Sequence, residues 1–282
     1  ALAAGCPVIV KAHNAHPATS ELAAQAIAAA ADKTAMPAGV FNLVHARQHA
    51  FSEALICHPA VKAVAFTGSE QLGMHFQRLI WQRPEPIPFF AEMGSQNPLF
   101  VMPQYLAQNS DSFASALAQS VLNGCGQFCT RPALVFIPRD TAALQAQLIT
   151  LFSQAQAGAM LTAKIANHYR SGCQALQQTA GVSLLAQGQG DETGCYTRPR
   201  LFACSANTFM QQSVLQQEIF GPATVLIECT DVTQMQMLAT LLQGQLTATV
   251  YATEAELATA SALLQELALH CGRLIYNQMP TG

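Results

Sequence analysis

Among the 282 residues, the stretch that most suggests chemistry is Asn123-Gly124-Cys125-Gly126-Gln127-Phe128-Cys129-Thr130. Glycines beside a thiol let backbone approach a ligand closely and leave amide hydrogens free to face a developing oxyanion, which makes Cys129 a candidate nucleophile. An arbitrary cysteine is more often a small core side chain. Cys125 is read that way, because a Cys-x-x-x-Cys pair without further ligands is poor evidence for a metal. In Phe89-Phe90-Ala91-Glu92-Met93-Gly94-Ser95-Gln96-Asn97-Pro98 a single carboxylate sits among aromatic and small residues. Apolar company disfavours the ionised form, so Glu92 is a candidate general base able to accept a proton near neutrality. The alternative for Glu92 is a surface glutamate at a strand end. In Gln217-Glu218-Ile219-Phe220-Gly221-Pro222 an acid and an aromatic stand two apart. In extended backbone they would point to one side, suited to a ribose and its attached ring.

Elements must position these groups. Val8-Ile9-Val10, after a Gly-Cys-Pro turn, predicts a buried strand with Lys11 at its carboxyl edge. An alanine-rich helix follows through Ala31, with Thr19 or Ser20 as its cap and Pro37 and Gly39 after its end. Further strands are expected at residues 40–44 and 61–66, a helix ends near Cys57, and Thr67-Gly68-Ser69 leads into a helix from Glu70 to about Trp81. Such alternation implies an α/β fold with a parallel sheet that binds ligands beyond the carboxyl ends of its strands, where Lys11 and Gly68-Ser69 lie. After the proline-dense Arg83 to Pro88, a second αβ pattern opens beyond Pro98, with a helix from about Phe113 to Leu122 and a strand from Ala133 to Ile137. The expected domains are 1–95 and 96–282. The glutamine-rich Gln174 to Gln189 reads as surface loop and helix, and no internal repeat is found.

Composition narrows the partners. Hydrophobic residues make up 51% and charged residues 10%, yet no apolar run reaches the roughly 18 to 20 residues that span a bilayer. A net charge of -3, with scattered Lys and Arg, gives no footprint for nucleic acid. Small molecules or copies of the chain are the expected partners. Nine cysteines, an odd number without a paired framework, suit a reducing cytoplasm, and the first residues lack the basic region of a signal peptide. His13 and His16 flank Lys11 without a carboxylate or thiolate at ligand spacing, so no metal is expected there. Arg131, two after Cys129, faces an acidic substrate or makes a structural ion pair.

Taken together, Glu92-Met93-Gly94-Ser95 resembles the Glu-Leu-Gly-Gly element of aldehyde dehydrogenases, and Gly126-Gln127-Phe128-Cys129 their Gly-Gln-x-Cys nucleophile element. Phe66-Thr67-Gly68-Ser69 with Gly73, Val10-Lys11, Glu218-Ile219-Phe220-Gly221-Pro222 and Pro280-Thr281-Gly282 fall in matching order. The resemblance is closest to NADP-using members that oxidise fatty aldehydes or 2-oxoglutarate semialdehyde, on Lys11-Ala12-His13 and His16-Pro17. It implies a Rossmann-type cofactor-binding domain followed by an αβ catalytic domain, both cut short, in an internal piece of a homodimeric or homotetrameric parent.

The same resemblance implies the chemistry. Cys129 would attack an aldehyde carbonyl, the thiohemiacetal would be oxidised to a thioester, and Glu92 would activate the water that releases a free acid. Lys11 would contact the adenosine ribose, Ser69 a cofactor phosphate and Glu218 the nicotinamide ribose, Phe220 would pack near the nicotinamide, Gly68 would let the turn approach the cofactor without a side chain, and Met93 would be a further cofactor-binding residue. NAD-preferring members usually carry a glutamate where this sequence has Asn14. Its absence admits a 2′-phosphate, which Arg47 or His49 could meet, so NADP is expected ahead of NAD. Ser95-Gln96 replaces the more usual Gly-Lys, a change expected to be tolerated. The family's oxyanion-hole asparagine falls upstream of Lys11, outside the sequence. Alternatives from other classes are a catalytically silent binding or structural relative and an acyl-phosphate or coenzyme-A-linked reductase of the same fold.

Overall fold

Four apolar side chains in a row, Leu134 to Ile137, are all buried, as a strand covered on both faces requires. They belong to the central strand of a seven-stranded sheet. In the computed structural model, which describes residues 1–281, the chain forms two compact units, Ala1–Met93 and a second starting at Gly94. The first holds β1 (Val8–Lys11), α1 (Pro17–Lys33), β2 (Phe41–Val44), α2 (His49–Cys57), β3 (Val64–Thr67), α3 (Glu70–Trp81) and β4 (Phe89–Glu92). The second begins with β5 (Leu99–Val101), α4 (Pro103–Leu122), β6 (Leu134–Pro138), α5 (Ala142–Gln154), β7 (Gly158–Ala159), α6 (Ala163–Gln178), β8 (Val182–Gln187) and β9 (Tyr196–Thr197). It continues through β10 (Arg200–Ser205), α7 (Ala206–Gln211), β11 (Ala223–Cys229), α8 (Val232–Ala239), β12 (Gln245–Tyr251), α9 (Glu254–Thr259), α10 (Ser261–His270) and β13 (Cys271–Tyr276).

In the second unit the sheet order is β13-β12-β5-β6-β11-β10-β8, parallel throughout except that β8 runs antiparallel to β10. Alternation along the strands divides the core in two. Phe100, Phe136, Phe202 and Ile227 meet α6, α7, α8 and α10 on one face, while Val101, Val135, Leu201 and Leu226 meet α4 and α5 on the other. The result is a three-layer αβα unit. Chain crossovers bring the carboxyl ends of β5, β6 and β11 to one side of the sheet, the usual side for ligands in such folds.

The first unit has the expected strand–helix alternation, but its ladders join only pairs, β1 with β2 and β3 with β4, both parallel. Its core is a small cluster of Ile56, Phe76, Ile80 and Ile87 backed by Phe66 and Phe89. Arg83 closes the connector after α3 by donating to the carbonyls of Ile56, His58 and Val61.

Four local expectations are corrected. β1 is not buried, for Ile9 is 49% and Val10 38% exposed, the strand being paired on one edge only. α1 starts at Pro17 with His16 as its N-cap residue, earlier than a Thr19 or Ser20 cap. Proline fits the first turn, where its missing N–H is not needed. α4 starts at Pro103, ten residues before Phe113, with a break at Asn109. Its first amides are capped from a distance, by the carboxylate of Glu256 accepting from Gln104 N (2.6 Å) and Tyr105 N (3.1 Å). The glutamine-rich segment contains the edge strand β8, held by β10.

Phe136 stacks on Phe100 at 4.4 Å and meets Phe209 edge-on at 5.4 Å in the centre of the core. Phe136→Ala is expected to cost about 3 to 5 kcal/mol in denaturant unfolding. A loss below about 1 kcal/mol, the range of a tolerated swap, would contradict this packing.

Candidate active site

The thiol of Cys129 stands on a turn with unusual backbone. Beyond α4, Gly124, Cys125 and Gly126 take positive φ in succession, 55°, 57° and 65°. Gly126 must be glycine, because a Cβ there would overlap the main chain of Gly221. The close approach inferred for these glycines is thus, at Gly126, an approach to another segment of the chain. Gln127 fastens the turn laterally, donating to Gly124 O (3.0 Å) and accepting from Leu161 N (2.7 Å). Arg131 N donates to Phe128 O at 3.1 Å, which closes a tight turn over Cys129 and Thr130. Cys129 itself is exposed at the tip. Cys125 is half-buried at 3.5 Å from Thr197 Oγ1, and burial raises its thiol above the usual range. Burial likewise pushes Cys204 and Cys229 up to about 12, so both stay thiols at neutral pH.

Beneath this turn lies a buried polar hub that the sequence did not single out. Asn97, 1% exposed and in the left-handed region at φ 46°, donates from Nδ2 to Cys129 O (2.8 Å) and Arg131 O (3.0 Å). Its Oδ1 accepts from Thr247 Oγ1 at 3.0 Å and lies 2.9 Å from Ser95 Oγ. Gln245 Oε1 accepts from Gln96 N (2.7 Å) and Asn97 N (3.1 Å), fixing the backbone that carries Asn97. Ser95 and Gln96 therefore take specific places in the hub, beyond being tolerated replacements. Asparagine suits the left-handed backbone here better than most side chains, and Asn97 beside Pro98 was the only visible cue.

Glu218 and Phe220 do not lie in a strand. They sit before β11 in chain that joins no ladder, with Gln217 ahead of them in extended backbone. Main-chain anchors fix the segment from both sides. Gln96 Nε2 donates to Leu215 O (2.9 Å) and Gln217 O (3.2 Å), and the Arg131 guanidinium donates to Ile219 O (2.8 Å) and Ala223 O. At 2% exposure Arg131 cannot face a substrate; burial lowers its guanidinium below the usual range, and the negative charge of Glu218 opposes that. Gly221 lies on the Tyr169 ring, whose hydroxyl donates to Arg198 O (2.8 Å) and is 3.2 Å from Pro222 O. The carboxylate of Glu218 passes so close to Gly94 that a Cβ there would overlap Oε2. The second unit thus brings together the Cys129 turn, Gly94 and the Glu218–Phe220 segment.

In the first unit Glu92 ends β4 opposite Thr67, and its carbonyl accepts from Gly68 N at 3.0 Å. The expected apolar enclosure is absent. Phe66 and Phe89 turn to the packed face, whereas Glu92 is exposed on the same side as Phe90, along an open groove of about 570 Å³ that also touches Ala65 and Thr67. Gly68 and Ser69 open the twelve-residue α3, a Cβ on Gly68 would press to 2.6 Å from the Phe66 ring, and a Cβ on Gly73 would stand 2.5 Å from Met93 Sδ. Glu92, Met93, Gly68 and Ser69 are therefore neighbours. Lys11 and Asn14 lie at the end of the other ladder, where Lys11 pairs with Val44 and Asn14 is exposed. Arg47 and His49, both exposed, follow β2 at the same end. His13 and His16 stack at 4.8 Å, with His13 lowered first by burial and then by the charges of His16 and Lys11. No group of His, Cys, Asp and Glu that could hold a metal exists among the described residues, and no helix among them is long and apolar enough to cross a membrane.

Comparison with known proteins gives a family. The aldehyde dehydrogenase family matches residues 1–282. The chain is 42% identical over 289 residues to alpha-ketoglutaric semialdehyde dehydrogenase 2 of Azospirillum brasilense, covering 100% of this chain and 54% of the relative. It is 39% identical over 285 residues to alpha-ketoglutaric semialdehyde dehydrogenase of Acinetobacter baylyi, with the same coverage of 100% and 54%. It therefore spans about half the length of these relatives. Among solved structures, the Delta-pyrroline-5-carboxylate dehydrogenase of Mycobacterium tuberculosis bound with NAD matches with a TM-score of 0.80 at 20% identity, covering 98% of this chain and 52% of that one.

Asn97→Ala would leave the carbonyls of Cys129 and Arg131 without their buried donor. It is expected to lower unfolding free energy by about 2 to 4 kcal/mol, read by chemical denaturation. Unaltered stability would show that the hub does not hold the turn.

Proposed function

The chain belongs to the aldehyde dehydrogenase family, and from that premise we propose that the protein oxidises an aldehyde to a carboxylic acid with NAD(P) as the electron acceptor. The observation that carries this reading is the union of the exposed Cys129 turn with the Glu218–Phe220 segment, made by the Gly126–Gly221 approach and by Arg131. A nucleophile and a ribose-binding acid need such fixed company, because reactants held in place lose little entropy on reacting.

In this account the Cys129 thiolate adds to the aldehyde carbon to give a thiohemiacetal, which on loss of a hydride becomes a Cys129 thioester. Covalent capture divides one hard oxidation into two easier steps. The nicotinamide, when bound, supplies the two-electron sink. Glu92 takes a proton from the water that cleaves the thioester, and its exposure on the groove rim leaves the carboxylate accessible to that water.

The residues fit the cofactor. Gly68 and Ser69 precede a helix whose first amides can meet a phosphate, and Lys11 stands at the carboxyl end of a parallel strand. Met93 of the first unit and Glu218 and Phe220 of the second are the further residues assigned to the cofactor, and the second unit carries the thiol. Asn14 brings no carboxylate against a 2′-phosphate, and Arg47 and His49 follow the neighbouring strand, which favours NADP over NAD. The two semialdehyde dehydrogenases at 42% and 39% identity point to a semialdehyde bearing carboxylate as substrate. A reducing cytoplasm would keep the nucleophile a thiol, and a homo-oligomer is the expected assembly.

Assays with NADP and NAD against 2-oxoglutarate semialdehyde and fatty aldehydes test this directly. Cys129→Ser is expected to lower turnover by roughly four orders of magnitude or more, and Glu92→Gln to keep the first burst of reduced cofactor while slowing steady turnover about a hundredfold. Oxidation that survives loss of Cys129 would overturn the thioester route, and no oxidation of any aldehyde would favour the silent relative.

A further inference from the structure

Arg131 is bound at both of its ends. Its main chain belongs to the Cys129 turn, through Arg131 N to Phe128 O at 3.1 Å and Asn97 Nδ2 to Arg131 O at 3.0 Å. Its side chain crosses to the other segment and holds the carbonyls of Ile219 and Ala223, one on each side of Phe220 and Gly221. Among the described residues, no other member of the hub has a hydrogen bond on both sides of that segment. Gln96 holds only the approach to it, at Leu215 and Gln217.

This is a costly way to fill a core. The side chain is 2% exposed, its Nε has no hydrogen-bond partner among the described residues, and a cavity of about 20 Å³ lies alongside, lined by Gln96, Leu134, Leu215 and Val225. A buried guanidinium has a desolvation penalty of several kcal/mol, and apolar side chains of similar volume often do as well or better for stability alone. What an apolar replacement cannot do is span two carbonyls in a fixed fork.

We propose that Arg131 is the positioning residue that fixes the Cys129 thiol relative to Glu218 and Phe220, acting through main chain at both ends. The proposal rests on the roles given above to Cys129, Glu218 and Phe220. Lysine at this position keeps a charge but offers no planar fork, and methionine keeps the bulk without any donor.

Arg131→Met and Arg131→Lys would be compared with the unsubstituted protein in three measurements: steady-state kinetics, alkylation of Cys129 by iodoacetamide, and hydrogen exchange of residues 216–223. For Arg131→Met, kcat is expected to fall roughly a hundredfold, with cofactor KM raised and aldehyde KM little changed. Exchange in 216–223 should quicken while Cys129 is still alkylated at its usual rate. Arg131→Lys should fall between, and it decides the question if the methionine variant does not fold. Unchanged kcat and cofactor KM in a folded variant would overturn the proposal, and so would a loss of alkylation equal to the loss of turnover, which would mark Arg131 as support for the thiol turn alone. If the unsubstituted protein reduces no cofactor, the reading of function fails instead. Exchange then decides this proposal by itself, and unchanged exchange in 216–223 would overturn it.

Discussion

The carbonyls of Cys129 and Arg131, turned inwards below an exposed thiol, need buried donors, and Asn97 supplies them at 2.8 and 3.0 Å. Much of the second unit follows from that requirement. A turn with three positive φ angles in succession has no ladder to join, so its polar groups must find partners among side chains. Asn97 can reach them because it adopts a left-handed backbone whose amide is held by Gln245, while Thr247 orients its side chain, both from the start of β12. That strand is paired with β5, which follows Asn97 directly. The sheet thereby sets the height of the hub, and the hub sets the turn.

From the turn, constraint passes sideways. Gly126 admits the main chain of Gly221, the Tyr169 ring bears on Gly221, and Arg131 holds the carbonyls around it. The segment carrying Glu218 and Phe220 is irregular, yet its backbone is tied at Leu215, Gln217, Ile219 and Ala223. Irregular chain held by buried polar groups is common where side chains must meet a ligand at angles that no strand provides. The two carboxylates assigned chemistry have different settings. Glu218 lies against Gly94 and bears on the charge of Arg131, whereas Glu92 is an exposed strand-end residue whose value to the proposed reaction is access to water.

Local patterns in the sequence were enough for the αβ alternation, for the helix opening after Gly68-Ser69 and for the fully apolar Leu134 to Ile137, because each rests on periodicity or turn chemistry within a few residues. The family resemblance was legible for a related reason, since glycines, a thiol and acids at set spacings survive as short motifs, and the family match over residues 1–282 agrees with it. Partners far apart in the chain were not legible. The cap of α4 comes from Glu256, the donors to residues 215–223 come from Gln96 and Arg131, and the acceptor that fixes Gln96 comes from Gln245. The apolar neighbours of Glu92 in sequence proved misleading, because successive strand residues face opposite sides and the aromatic Phe89 turns away from it.

Whether Cys129 carries the substrate is the claim on which the chemistry turns. The most direct measurement is mass spectrometry of Glu92→Gln after brief exposure to NADP and 2-oxoglutarate semialdehyde, with peptide mapping of all nine cysteines. An acyl group on Cys129 alone, absent when cofactor is omitted, is the predicted result. Acylation at another cysteine, or product formed with no acyl-protein at any time, would contradict the account.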